Sequence, residues 1–281
     1  MANDEYFRFV SLLALELENG DISLPSLPDV VLKIRKLLES ENCDFERISQ
    51  AVSVDPVLVS KLFVYANSAY YNRSNIKAET LDAAISRLGF EVVRNTAMSL
   101  AMKQLYKTDT RDDIKRHVRD VWARGMKLSC MAYAIARNQT ALNHETAYLC
   151  GLMHEVGKLY ILTKVEEFPE LLGAPDALES VMDEWTPQIS KSIVESWGFP
   201  EEVVNSTDPA TVVDEDDDDD EESLLDIMVA AKLLVDESGD ELARLLRENE
   251  SCLRLGIHEP VLEGIQTRYE EKMETVQQSL A

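Results

Sequence analysis

The stretch IKRHVRDVWARGMKLSCMAYAIA, Ile114–Ala136, decides the fold. Ile114, Val118, Val121, Trp122, Gly125, Leu128, Ser129, Ala132, Ile135 and Ala136 recur three and four residues apart. At 3.6 residues per turn this spacing keeps one small or apolar face for about six turns, which predicts a long helix with one side buried. Strand-like alternation of period two is absent from it.

Downstream the signals are of the same kind. Asn143 is placed to cap a helix carrying Ala147, Leu149, Cys150, Leu152 and Met153. Thr186-Pro187 reads as a helix start, with threonine as N-cap and proline in the first turn. That helix is expected to end at Trp197-Gly198, and Pro200 to open a short one. Two closing helices are expected near 224–235 and 259–280. The last carries Leu262, Ile265, Tyr269, Met273, Val276 and Leu280 on one stripe.

Upstream, Pro28 precedes the stripe Val30, Val31, Ile34, Leu37 and Leu38, and Asp44 is the expected cap for Phe45, Ile48, Ala51 and Val52. Asp55-Pro56 opens a helix with Leu58, Leu62, Tyr65 and Ala66 on one side and Val59 and Phe63 on another, so it should be buried. Thr80 caps the next and Gly89 ends it; a further helix spans about 91–105. The expectation is an all-α protein, a helical bundle preceded by an N-terminal helical subdomain. The polar break from Thr108 to Asp113 sets the boundary, giving a subdomain over 1–109 and a bundle over 110–281.

The 281 residues include 28 basic and 52 acidic ones, a net charge of −24. Nine of the acids form the unbroken run Asp214–Glu222, read as a solvated loop; without that run the charge is still −15. A field of this sign repels phosphate backbones and anionic lipid, which excludes nucleic acid and membrane surfaces as default partners. The cysteines Cys43, Cys130, Cys150 and Cys252 are too widely spaced for a zinc site and read as buried thiols in a reducing compartment. No apolar run approaches the ~18 residues of a membrane span, and no secretory signal is visible, so a cytoplasmic protein is expected.

One segment carries chemical side chains together: GLMHEVGK, Gly151–Lys158. His154 beside Glu155 offers two metal-type donors, a glycine allows close backbone approach, and Lys158 is a candidate phosphate contact. Two adjacent donors do not make a metal site, which takes three or more from several elements. The other histidines, His117, His144 and His258, do not share a close helical face with His154. A structural role for His154 is therefore expected. A second polar stretch, Asn67-Ser68-Ala69-Tyr70-Tyr71, falls at a helix end. There Asn67 and Ser68 suit capping at the subdomain junction, and Tyr70 and Tyr71 suit either that junction or a partner surface.

Several motifs together give the chain a family likeness. They are Leu24-Pro25-Ser26-Leu27-Pro28, Asp55-Pro56 followed by Ala66-Asn67-Ser68-Ala69-Tyr70-Tyr71, Ala83–Gly89, Gly151–Lys158, Trp197-Gly198-Phe199-Pro200 and Leu255-Gly256-Ile257. In these the chain resembles HDOD-domain proteins, relatives of the HD superfamily of metal-dependent phosphohydrolases, from about Leu24 to the C-terminus. The resemblance implies an HD-like helical topology and a bacterial regulatory role. It also implies where metal ligands would stand. The long-helix histidine falls at Arg124 or Gly125, the His-Asp doublet at His154-Glu155, the next histidine near Thr186, and the later pair within Asn205–Asp208. One histidine remains of that set, and Arg124 brings a permanent positive charge to a cation position. Arg124 paired with Glu155 is the expected substitute. No metal and no cofactor are expected, and no catalysis. The expected partners are signalling proteins of the kinase, cyclase or phosphodiesterase class. The alternatives are a nucleotide second messenger held by Arg124 and Lys158, and a weak metal-dependent phosphohydrolase using His154 and Glu155. Monomer and homodimer are both left open.

Overall fold

A computed structural model describes residues 2–22, 24, 27–38, 45–107, 111–208 and 221–280, and every regular element among them is helical. The N-terminal part comprises α1 (Ala2–Asn19), α2 (Asp29–Leu38), α3 (Phe45–Ser53), α4 (Pro56–Asn67), α5 (Leu81–Leu88) and α6 (Phe90–Leu105). The centre is α7 (Asp112–Gln139), α8 (His144–His154), α9 (Val156–Lys164), α10 (Pro169–Leu172), α11 (Pro175–Ser196) and α12 (Glu201–Asn205). The chain closes with α13 (Leu224–Asp236), α14 (Gly239–Glu248), α15 (Glu250–Arg254) and α16 (Glu259–Leu280). No helix of the described residues is long and apolar enough to cross a membrane.

The local rules account for most boundaries. Asp55 Oδ1 accepts from the amides of Val57 and Leu58, and Pro56 sits where its missing N–H costs nothing. Thr80 and Asn143 cap α5 and α8 in the same way. The long helix α7 buries Ile114, Val118 and Val121 on the face its spacing foretold, with Trp122 half-buried, but from Leu128 to Ala136 it is buried on every side and not on one. It packs against α8, α13 and α16, and so forms the spine of the bundle. The α7–α8 crossing is close because Gly151 has no side chain. A Cβ there would lie 2.5 Å from the Ser129 Cα.

Thr186-Pro187 does not start a helix. Both residues lie inside α11, which begins eleven residues earlier. An interior proline removes one backbone hydrogen bond and costs about 3 kcal/mol. The same buried face continues across it, with Leu178, Val181 and Met182 before and Ile189, Ile193 and Val194 after. Packing on α9 outweighs the local start signal. Between the two expected closing helices lie α14 and α15, which the sequence reading left out. It also passed over α1, which buries Phe9 and Leu13 and lies against α10 and α11.

Cys130, Cys150 and Cys252 are buried, and burial pushes their thiols up to about 12, 12 and 11. Cys43, the expected cap Asp44, Pro25 and Ser26 of the opening motif, Thr108–Thr110 of the polar break and Asp214–Asp220 of the acidic run lie outside the described residues. So does the side chain of Leu280.

Candidate functional site

The turn between α8 and α9 gathers the charged side chains. Glu155 stands between the two helices and is 3% exposed. A carboxylate so buried must be met by cations. Arg124, from α7, donates its Nε to Glu155 Oε1 at 2.7 Å. Lys158, one turn along α9, donates to the same oxygen at 3.0 Å. The other side of the Arg124 guanidinium is held by Asp236, the last residue of α13, whose Oδ2 accepts from it at 2.9 Å. Burial works against the Arg124 charge, yet Asp236 and Glu155 hold its pKa above the ordinary arginine value. One guanidinium thus joins α7, the α8–α9 turn and α13.

His154 ends α8 and is 6% exposed. Burial pushes its pKa down to about 3, helped by the positive charges of Lys232, Arg124 and Lys158 and opposed by a backbone hydrogen bond with Ser206. The ring is therefore neutral near pH 7, and its Nδ1 has no hydrogen-bond partner among the described residues. Its carbonyl accepts from Ser190 Oγ at 3.0 Å, and that hydroxyl accepts from the Gly157 amide at 2.9 Å. Ser190, on α11, thereby clasps the His154–Gly157 turn. A Cβ on Gly157 would come within 2.6 Å of the Thr186 carbonyl. The motif's second glycine serves the approach of α9 to α11, and no phosphate need be invoked for it.

Thr186 faces this turn from α11, and its buried hydroxyl, like Glu155 Oε2, has no hydrogen-bond partner among the described residues. These residues do not fit a catalytic metal. The donors of metal type at the turn are one imidazole nitrogen and one carboxylate. The carboxylate already carries a guanidinium and an ammonium on one oxygen. Among the described residues no three His, Cys, Asp or Glu side chains converge as a metal-holding group. Arginine keeps its charge at any working pH, so it blocks a cation instead of yielding to one.

Beside the turn lies a cavity of about 340 Å³ with an apolar wall of Val121, Leu178 and Met182. Arg124, Lys158 and Glu155 reach its edge, together with Asp120, Glu179 and Asp183. Carboxylates outnumber permanent cations there, and both cations are already paired with Glu155.

Asn67, Ser68, Tyr70 and Tyr71 belong to a different cluster. Asn67 brackets Ala78, accepting from its amide at 2.7 Å and donating to its carbonyl at 3.2 Å, which pins the loop after α4. Ser68 is the C-cap of α4 and donates to the Tyr65 carbonyl. Tyr70 and Tyr71 turn inward, to Tyr133 and Lys272 respectively. The residues that sequence reasoning missed are Asp236, Ser190, Lys232, Glu145 and Lys272. Of these only Lys272 had a signal, since it interrupts the apolar stripe between Tyr269 and Val276.

The HDOD domain family model matches residues 24–211. An uncharacterized protein of Treponema pallidum (strain Nichols) is 25% identical over 209 residues, 69% of this chain and 39% of that one, so the chain spans well under half of that relative's length. Among solved structures, a candidate metal-dependent phosphohydrolase of Shewanella amazonensis SB2B superposes with a TM-score of 0.79 at 24% identity, over 97% of this chain and 99% of that one. An HDOD domain protein with unknown function from Geobacter sulfurreducens gives 0.68 at 18% identity, covering 94% and 97%. A candidate signal transduction protein of Marinobacter aquaeolei VT8 gives 0.56 at 22%, covering 92% of this chain and 61% of that one. At these identities the likenesses establish the all-α, HD-like fold.

Proposed function

This chain belongs to the HDOD domain family, and from that premise we propose that it is a non-catalytic regulatory module of signal transduction that works through protein–protein contacts. The observation that carries the reading is the Arg124–Glu155 ion pair at 2.7 Å. Metal-assisted hydrolysis needs an open cation position and an activated water. Here the carboxylate that would hold the cation is spent on a guanidinium that also fastens α13. The geometry supports a site converted from catalysis to structural bracing. The partners are signalling proteins of the kinase, cyclase or phosphodiesterase class, met in the cytoplasm. The description of the Marinobacter neighbour agrees in kind with this reading, and that of the Shewanella neighbour departs from it.

The test is turnover. The full chain, supplied with Mn²⁺ or Fe²⁺, is assayed on bis(p-nitrophenyl) phosphate and on cyclic mono- and dinucleotides. No hydrolysis above the metal-only control is expected. Metal-dependent turnover that disappears in His154→Ala would make the chain an enzyme. The cavity beside Arg124 and Lys158 favours a second reading, a nucleotide sensor. Its excess of carboxylates weighs against an anionic ligand. Calorimetric titration with the same nucleotides separates the two, with no heat expected from any of them.

A further inference from the structure

A second buried charge lies well away from the chemistry so far considered. Lys272, on α16, is 2% exposed. Its Nζ donates to Glu145 Oε1 at 3.1 Å and to the Tyr71 hydroxyl at 3.3 Å. It stands 4.0 Å from the centre of the Tyr133 ring and 4.8 Å from that of Tyr148. Aromatic faces around an ammonium, closed by one carboxylate, are the arrangement that recognises alkylammonium groups. The arrangement is itself held in place. Asn95, from α6, donates to Glu145 Oε2 at 2.9 Å and to the Glu145 carbonyl at 2.8 Å. Tyr70 shares a 2.6 Å hydrogen bond with the Tyr133 hydroxyl. Burial alone would pull the lysine down, yet Glu145 and the tyrosines together hold its pKa well above the ordinary value. The occupant is therefore an ammonium, not an amine.

The cage and its occupant come from different parts of the chain. Tyr71, Tyr133, Glu145 and Tyr148 fall within the span that defines the family, and Lys272 lies beyond it. The helix bearing Lys272 packs on α7 and α4, and clefts flank that seat. A cleft of about 260 Å³ opens along one flank, against α13 and α14, and one of about 180 Å³ along another, against the loop after α4. Among the described side chains of its expected apolar stripe, Ile265 and Val276 are fully buried and Leu262, Tyr269 and Met273 are half-buried against the core.

We propose that Tyr71, Tyr133, Tyr148 and Glu145 form a binding site for a primary alkylammonium group, that Lys272 is its built-in occupant, and that α16 is thereby a plug that opens as a unit. A preformed cage of this kind should accept the missing part of the side chain from solution once Lys272 is shortened. Lys272→Ala in the full chain removes a propylammonium group. Hydrogen exchange of the α16 amides is then measured with n-propylammonium chloride, with n-propanol plus sodium chloride as the control. Exchange in α16 is expected to rise at least about tenfold while α7 and α8 hold their protection. Propylammonium should reverse most of the rise and propanol none. Exchange that is unchanged in α16, that rises equally in α7 and α8, or that answers to propanol as well as to the amine overturns the proposal. If Lys272→Ala does not fold, its refolding yield is the readout. Recovery by the amine alone supports the cage, and no recovery refutes it. The neutral pair Lys272→Met with Glu145→Gln should be indifferent to the amine, and sensitivity there also refutes it.

Discussion

A guanidinium resting on a buried carboxylate resembles a divalent cation in sign and in little else. Arg124 neutralises Glu155 and bridges three helices, but it has no free coordination position and no water whose proton it could release. His154 completes the contrast, since its ring sits neutral among three positive side chains. The consequence is measurable. Unfolded, the imidazole has a pKa of about 6.5; folded, it is pushed down to about 3. Between those values the unfolded chain binds a proton that the folded chain refuses, so stability falls as pH is lowered through that window. The slope from this one group is at most about 1.4 kcal/mol per pH unit. Urea midpoints of the wild type and His154→Asn should converge toward pH 3. An unchanged slope in the variant would mean that the ring titrates normally. At this scale the Arg124–Glu155 pair was legible through the family resemblance, which set Arg124 at a cation position beside the His154-Glu155 doublet. Asp236 was not legible, since nothing local links the end of α13 to a helix 112 residues earlier.

Helices in this molecule start where local chemistry says they should when no packing competes. Asp55, Thr80 and Asn143 each satisfy orphan amides and define an end. Thr186-Pro187 fails as a start because α11 has an uninterrupted buried face on α9, and burial exceeds the proline penalty. The glycines of the motif likewise answer to helix packing. Gly157→Ala should destabilise the protein by about 1–3 kcal/mol, because its methyl would press on the Thr186 carbonyl and the Ser190 hydroxyl. Gly125→Ala should be neutral or stabilising by up to about 1 kcal/mol, since it is helical and a Cβ meets nothing within 4 Å. Thermal unfolding of the two variants reads the difference directly. Equal losses would contradict the packing account of the α9–α11 contact. The helices α1, α14 and α15 were legible only weakly. The two at the far end are short, and α1 precedes the motifs that guided the reading.

Over the whole molecule the two terminal helices bind parts of the chain remote from them. Glu16 on α1 accepts from Tyr160 at 2.6 Å and pairs with Lys164 on α9. At the other end, α16 spans α4 and α7 and places Lys272 in its cage. Of the cations in these pairs, Lys272 is buried, while Lys164 on Glu16 and Arg124 on Glu155 are partly exposed. The central proposal is that the ion pair on Glu155 stands where the HD-type resemblance implies a metal. Elemental analysis of the full chain, purified without chelator and dialysed against Mn²⁺ and Fe²⁺, tests that claim most directly. The account predicts well under one equivalent of either metal, unaltered by His154→Ala. One or two equivalents, lost in that variant, would contradict it.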